Sequence, residues 1–489
     1  MSALHVHSSL TRKLLTTFMS YGNKLSCRFC GRQTNNFFIT TPIFYVNAAP
    51  HIGHVYTTVL SDAFSRWHRL KGHEVLFTTG TDEHGQKIQQ SALKAKKFPE
   101  QYTAEHSKLF HEILQVAGVD ADDFIQTTEK RHFNAVQHFW RKLSENGFIY
   151  KDFYKGWYSL SDETFIVENN VKEVQDKTGK LVQICSETGN PVIWIEEENY
   201  MFQLSQFIPQ LREWLNSNVI QPPLWNGLAK SYLPTLSDLS ISRSRERISW
   251  GIPVPGDDTQ TVYVWLDALV NYLTVTGYPE KQNQWPPSCH VVGKEILKFH
   301  ALFWPAFLMA AGMELPNKIL CHSHWLVDGQ KMSKSKGNVI NPVDLMEKYS
   351  PDCLRYFLLR EGVPHSDNNF NEQKMVECVN SEIVNTFGNL LSRCTSKIVN
   401  PDQIFPSLEK EAFYLYFNNE ERHNYDKLQD LSGEVDEAYA AVNIYKSLEK
   451  ISAALRSANS LLEKHKPWEL TWSFSFPKIV VPCCSLPIY

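Results

Sequence analysis

Phe38-Ile39-Thr40-Thr41-Pro42-Ile43-Phe44-Tyr45-Val46-Asn47-Ala48-Ala49-Pro50-His51-Ile52-Gly53-His54 is the stretch that decides the fold. Its first nine residues are rich in β-branched and aromatic side chains and predict a buried strand. Asn47 to Pro50 predicts a turn, and a helix is expected from about Gly53 to Leu70. Glu74-Val75-Leu76-Phe77-Thr78-Thr79 predicts a second strand, stopped by Gly80. Strand, helix and strand in such quick succession make a βαβ unit and commit the chain to a parallel sheet. Helical stretches are expected to continue to about Asn146.

Residues 150–245 differ, with short strands and turns such as Glu187-Thr188-Gly189-Asn190-Pro191, and predict an α+β insertion. Parallel-sheet character is expected to return at Thr261-Val262-Tyr263-Val264-Trp265 and at His290-Val291-Val292-Gly293. The last third is helical: Tyr445, Leu448, Ile451, Leu455, Ala458 and Leu462 step by three and four along one face, as core packing of a bundle requires.

At 489 residues the chain has room for two to four domains, and its net charge of −4 excludes a global basic field. Any nucleic-acid partner must be held by local patches and shape. Ten cysteines scattered mostly singly indicate a reducing compartment. The apolar run Ala301 to Met313 contains Pro305 and is too short to span a bilayer, so a soluble protein is expected. Residues 1–36 carry Arg12, Lys13, Lys24, Arg28 and Arg32 with many Ser and Thr, and the first acidic residue is Asp62. That composition predicts a mitochondrial targeting segment. Cys27 and Cys30 have zinc-knuckle spacing but no second pair near them, so no structural zinc is expected.

Two short strings carry the chemistry. His51-Ile52-Gly53-His54 stands at a helix start, where unpaired backbone N–H groups and a partial positive charge attract anions. Two imidazoles one turn apart can donate to phosphate oxygens, and Gly53 lets an adenine approach the backbone. Alone, this string fits two surface histidines at a helix start equally well. Lys331-Met332-Ser333-Lys334-Ser335 lies between Gly329 and Gly337, and two ammonium groups on a mobile loop can close on a triphosphate. Gly80-Thr81-Asp82-Glu83-His84-Gly85-Gln86-Lys87 has the outline of a P-loop, but Gln86 stands where a lysine is required.

Together, in this order, the two strings resemble the paired signatures of the class I aminoacyl-tRNA synthetases. The resemblance implies a Rossmann-like catalytic domain over 37–345 with its insertion at about 150–245, a helical anticodon-binding domain over 346–468 and an atypical tail over 469–489. His51 and Lys331 are 280 positions apart, too close to admit the large editing domain of the branched-aliphatic members. Ile39 to Tyr45, Thr79 to Gly85, Tyr263 to Leu269 and Gly293 to His300 look like the methionyl-tRNA synthetases. The insertion contains only Cys185, so the chain resembles their zinc-free, bacterial and organellar type.

Carried over by position, the resemblance makes His51, His54, Lys331 and Lys334 catalytic, and adds Gly53 and Ser333 as ATP contacts. Ile43, Tyr45, Trp265, Ala268, Tyr272, Ile296 and His300 would line a methionine pocket, and Asp82 would take the substrate's ammonium. A thioether suits such walls, since it is apolar, polarizable and a weak acceptor. Read without the resemblance, Trp265 is equally a core residue and Asp82 a helix cap. Asn389, Arg393 and Trp468 would read the anticodon CAU, the first two being also an ordinary helix pair. The implied activity is ATP-dependent ligation of methionine to tRNA-Met by a monomer in the mitochondrial matrix, with Mg2+-bound ATP as substrate and no membrane partner. Beyond Trp468 the family's helices are replaced by Pro477, Pro482 and Pro487, which forbid a helix. That tail leaves a truncated isoform or non-catalytic tRNA-binding relic as the alternative.

Overall fold

The computed structural model describes residues 36–470, apart from 162–163, 167, 177–178, 180, 333–336 and 405–409. Residues 1–35 of the segment expected over 1–36 to be a targeting sequence, with Cys27 and Cys30, and Ser333, Lys334, Ser335 and tail residues 471–489 lie outside the described residues.

The sheet at the centre is built from β1 (Asn36–Thr40), β2 (Phe44–Tyr45), β3 (Glu74–Asp82), β4 (Asp123–Gln126), β5 (Ile220–Gln221), β6 (Cys289–Gly293) and β7 (Ile319–His322), and every pairing in it is parallel. Thr78 faces Thr40 on one side and Asp123 on the other, while Thr81 faces Phe44 and Gln126. β1 and β2 therefore share one edge of β3. The single strand expected over Phe38–Val46 is broken at Thr41–Ile43, where Pro42 has no N–H to give to the ladder.

The strand order is β5-β7-β6-β1-β3-β4, with β2 continuing the path of β1. From β1 the chain moves outward through β3 to β4; from β6 it moves the opposite way to β7. The direction reverses between β1 and β6. In open sheets of this kind a ligand crevice lies there, beyond the carboxyl ends of the strands.

Residues 149–202 form antiparallel structure, led by Ile149–Ser159 paired with Val192–Phe202, whereas Ile220–Gln221, inside the insertion expected over 150–245, rejoins the parallel sheet between two helices. The parallel strand expected at Thr261–Trp265 is different in kind. Asp257–Val262 pairs antiparallel with Ser242–Ser244 and Pro253–Val254, and Trp265 sits on a helix, Val264–Thr274. Nearly every residue of that helix is buried, and the apolar run Thr261–Trp265 that leads into it is too short to separate a buried helix from a strand by period.

Three helices matter for placing the sites: α1 (Ile52–Leu70), α2 (Lys130–Glu145) and α3 (Val264–Thr274). In the helical part, α4 (Pro351–Glu361), α5 (Asn419–Ala440) and α6 (Ile444–His465) pack together, and Ala458 and Leu462 of α6 are buried with Leu390 and Cys394. The end of α1 docks on α5. Trp67 stacks on Tyr439 at 4.4 Å and donates its indole N–H to Asp436 at 3.2 Å, while Lys71 pairs with the same carboxylate at 2.7 Å. Among the described residues no helix is long and apolar enough to cross a membrane.

Candidate active site

His51 caps α1. Its Nδ1 accepts the Gly53 N–H at 3.1 Å, and the His54 Nδ1 accepts the His51 N–H at 3.0 Å. The two rings stack at 3.9 Å. With both Nδ1 atoms accepting, each neutral ring carries its proton on Nε2. Enclosure and the neighbouring His51 hold the His54 pKa well below the histidine range, with Glu295 pulling weakly the other way. A Cβ on Gly53 would meet His51 Cε1 at 2.9 Å, so glycine is required for the ring to fold back on the helix start. This pair sits at the helix entrance beside the β1–β6 reversal.

Across the crevice, α3 presents Trp265, Ala268 and Tyr272 on one face. Trp265 stacks on Phe299 at 3.6 Å, nearly parallel. Tyr272 is buried, and its hydroxyl lies 2.8 Å from His300 Nε2. His300 Nδ1 is 3.0 Å from the Ile296 carbonyl, so it carries the proton there and Tyr272 donates to Nε2. Burial lowers the His300 pKa to about 4, against a smaller opposing pull from the Ile296 carbonyl. Tyr45 ends β2 half-buried, with Lys87 Nζ 5.8 Å from its ring centre, and Ile43 lies half-buried in the strand break. Asp82 ends β3, opposite Tyr45 and almost buried.

Lys331 reaches the same neighbourhood. It lies on a short hairpin strand, Gln330–Lys331, paired with Trp325–Val327, and is exposed. Partial burial alone would raise the Glu295 pKa, but the His324 bond and the charges of His324 and Lys331 hold it below the usual carboxylate range. Glu295 is therefore near enough to both signature strings for its charge to act on His54 and to feel that of Lys331.

Arg393 lies 5.9 Å over the Trp468 ring and pairs with Glu463 at 3.1 Å. Asn389 begins the same short helix, Asn389–Cys394, one turn earlier and exposed. These three gather on the helical part, away from the crevice. Among the described residues no three His, Cys, Asp or Glu side chains come together as a metal site.

Sequence reasoning missed several neighbours. Phe299, Glu295 and His290 stand at or beneath the crevice; His290 Nδ1 lies 2.6 Å from the Thr40 hydroxyl and its ring 4.3 Å from Tyr272. Phe299 and Glu295 lie inside the quoted Gly293 to His300 string, so that signal was present. His290 carried only a strand pattern.

The family profile described as tRNA synthetases class I (M) matches residues 37–395. The human protein named mitochondrial methionine–tRNA ligase is 46% identical over 452 residues, covering 89% of this chain and 76% of that one. The methionine–tRNA ligase of Rickettsia bellii is 41% identical over 452 residues, covering 90% and 85%. Among solved structures, Mycobacterium tuberculosis methionyl-tRNA synthetase in complex with methionyl-adenylate superposes with a TM-score of 0.86 at 36% identity, covering 92% of this chain and 89% of that one. On sequence and on fold alike, the chain belongs to the class I aminoacyl-tRNA synthetases of the methionine type.

Proposed function

We propose that the chain joins methionine to tRNA-Met, through methionyl-adenylate, for translation in the mitochondrial matrix. The observation that supports this is Glu295, whose charge acts on His54 of the capped imidazole pair and which feels Lys331 of the hairpin, four residues before Phe299 under Trp265. The methionine carboxylate attacks the α-phosphorus of Mg2+-bound ATP and pyrophosphate leaves. The nucleophile is already an anion, so no general base is needed. Catalysis is then positioning plus stabilisation of charge on the phosphates.

His51 and His54 suit this role because their Nδ1 atoms accept backbone N–H bonds, which puts the ring protons on Nε2. Lys331, Ser333 and Lys334 would close over the β- and γ-phosphates, and Gly53 would leave room for the adenine. Asp82 would hold the ammonium while Ile43, Tyr45, Trp265, Ala268, Tyr272, Ile296 and His300 surround the side chain. Tyr272 already gives its proton to His300, so the pair offers a thioether contact without demanding a strong acceptor. The 2′-hydroxyl of the terminal ribose then attacks the adenylate's carbonyl carbon, forming the aminoacyl ester as AMP leaves.

In this reading residues 37–345 activate the amino acid and 346–468 read CAU through Asn389, Arg393 and Trp468, in a chain that acts as a monomer. Charging of tRNA-Met with a panel of amino acids tests it. Methionine alone should be transferred at an appreciable rate. A protein that binds tRNA-Met but exchanges no pyrophosphate into ATP is the relic instead.

A further inference from the structure

Asp267 lies in the first turn of α3, its side chain out of contact with solvent. One carboxylate oxygen is 2.7 Å from His84 Nδ1 and the other 2.8 Å from His132 Nε2. Both histidines are buried. His132, on α2, also reaches the Thr274 hydroxyl at 2.9 Å, so it bridges the first and last turns of α3. A carboxylate this far from water is tolerated only with such partners. Burial alone would raise the Asp267 pKa, but His84 and His132 hold it below the usual carboxylate range.

The adenylation chemistry makes no use of this cluster. At about 100° per residue, Asp267 and Thr274 project from the side of α3 turned away from Trp265, Ala268 and Tyr272. His84, in turn, lies two residues past Asp82 at the end of β3. Glu83 between them is also fixed: its carboxylate accepts from Thr81 at 2.9 Å and Gln126 at 2.8 Å, and its carbonyl from the Trp250 indole at 2.6 Å. Two elements far apart in sequence, the end of β3 and the start of α3, are thus tied by one buried charge.

We propose that Asp267 is a positioning residue for methionine, holding through His84 the segment that carries Asp82 at a set distance from the Trp265, Ala268 and Tyr272 wall. The inference rests on the reading of Asp82 and α3 as the two ends of the methionine site. An amino acid gripped at its ammonium and at its side chain is sensitive to the distance between the grips. ATP, held at the α1 entrance and the lysine hairpin, is not.

Methionine-dependent pyrophosphate exchange by the full chain tests this, with methionine and ATP varied separately. Asp267→Asn and His84→Leu should each raise the methionine KM roughly 10- to 100-fold, with the ATP KM held within about threefold. His84→Asn places an amide N–H where Nδ1–H stood and should restore the methionine KM to within about threefold of the parent. His84→Asn no better than His84→Leu, or both substrates weakened together, overturns the proposal. If Asp267→Asn fails to fold, the His84 pair decides alone. Asp82→Asn separates the two failures. An unchanged methionine KM there refutes the site reading; a raised one, with His84→Leu silent, refutes only the brace.

Discussion

The sheet half and the helical half use their functional side chains in opposite ways. At the sheet end several candidates are buried or cross-braced: His51 and His54 cap one another, Tyr272 donates a hydrogen bond to His300, and behind the α3 wall Asp267 is held from both sides. On the helical part, Asn389 is exposed and Arg393 is held by a surface pair with Glu463 and by the Trp468 ring. Transition-state stabilisation rewards groups that are already in place, because charge develops at fixed points. Splayed loop bases are met instead by open faces that stack and donate. The difference teaches that substitutions in the two halves should fail in different assays.

The largest effect should come from Lys334→Ala. Loss of a donor that acts on developing phosphate charge costs about 10² to 10³ in rate, so pyrophosphate exchange should fall that far with the methionine KM little changed. An unaltered exchange rate removes Lys334 from the chemistry. Trp468→Ala comes next. Loss of one stacked base is worth roughly 1 to 3 kcal/mol, so tRNA charging should fall by about 5- to 150-fold while exchange holds. A parallel fall in both would erase the contrast between the halves.

Trp67→Ala probes the joint between them. The stacked Trp67–Tyr439 pair is of a kind worth about 0.5 to 1.5 kcal/mol, so charging should drop roughly two- to tenfold with exchange preserved. Equal losses in the two assays would mean that α1 itself has shifted.

Acid should give the smallest effect. His54, His290 and His300 are all held neutral by burial, with His300 at about 4. Between pH 6.5 and about 4 the unfolded chain takes up protons that the fold refuses, so stability is full above about 6.5 and declines as pH falls through that window. The melting temperature should drop by a few degrees from pH 7 to pH 5. A flat profile over that range contradicts the buried, neutral assignment.

Much of this was legible because it is local. The strand, turn and helix start around Pro50 follow from side-chain type, and the βαβ reading needs only their order. The break at Pro42 was equally visible as a missing N–H, yet the apolar run around it masked the interruption. Trp265 was placed on a strand because a wholly buried helix and a buried strand share a composition. The Asp267 brace could not be read at all. Its partners lie 183 and 135 positions away, and no pattern in the sequence announces a contact that only the folded sheet creates.

The claim that the sheet half is a complete activating unit is tested most directly by pyrophosphate exchange in the absence of tRNA. With methionine and ATP alone, the full chain should exchange pyrophosphate at a rate that added tRNA-Met leaves unchanged. Exchange that appears only once tRNA is present would contradict the account, since activation would then depend on the helical half.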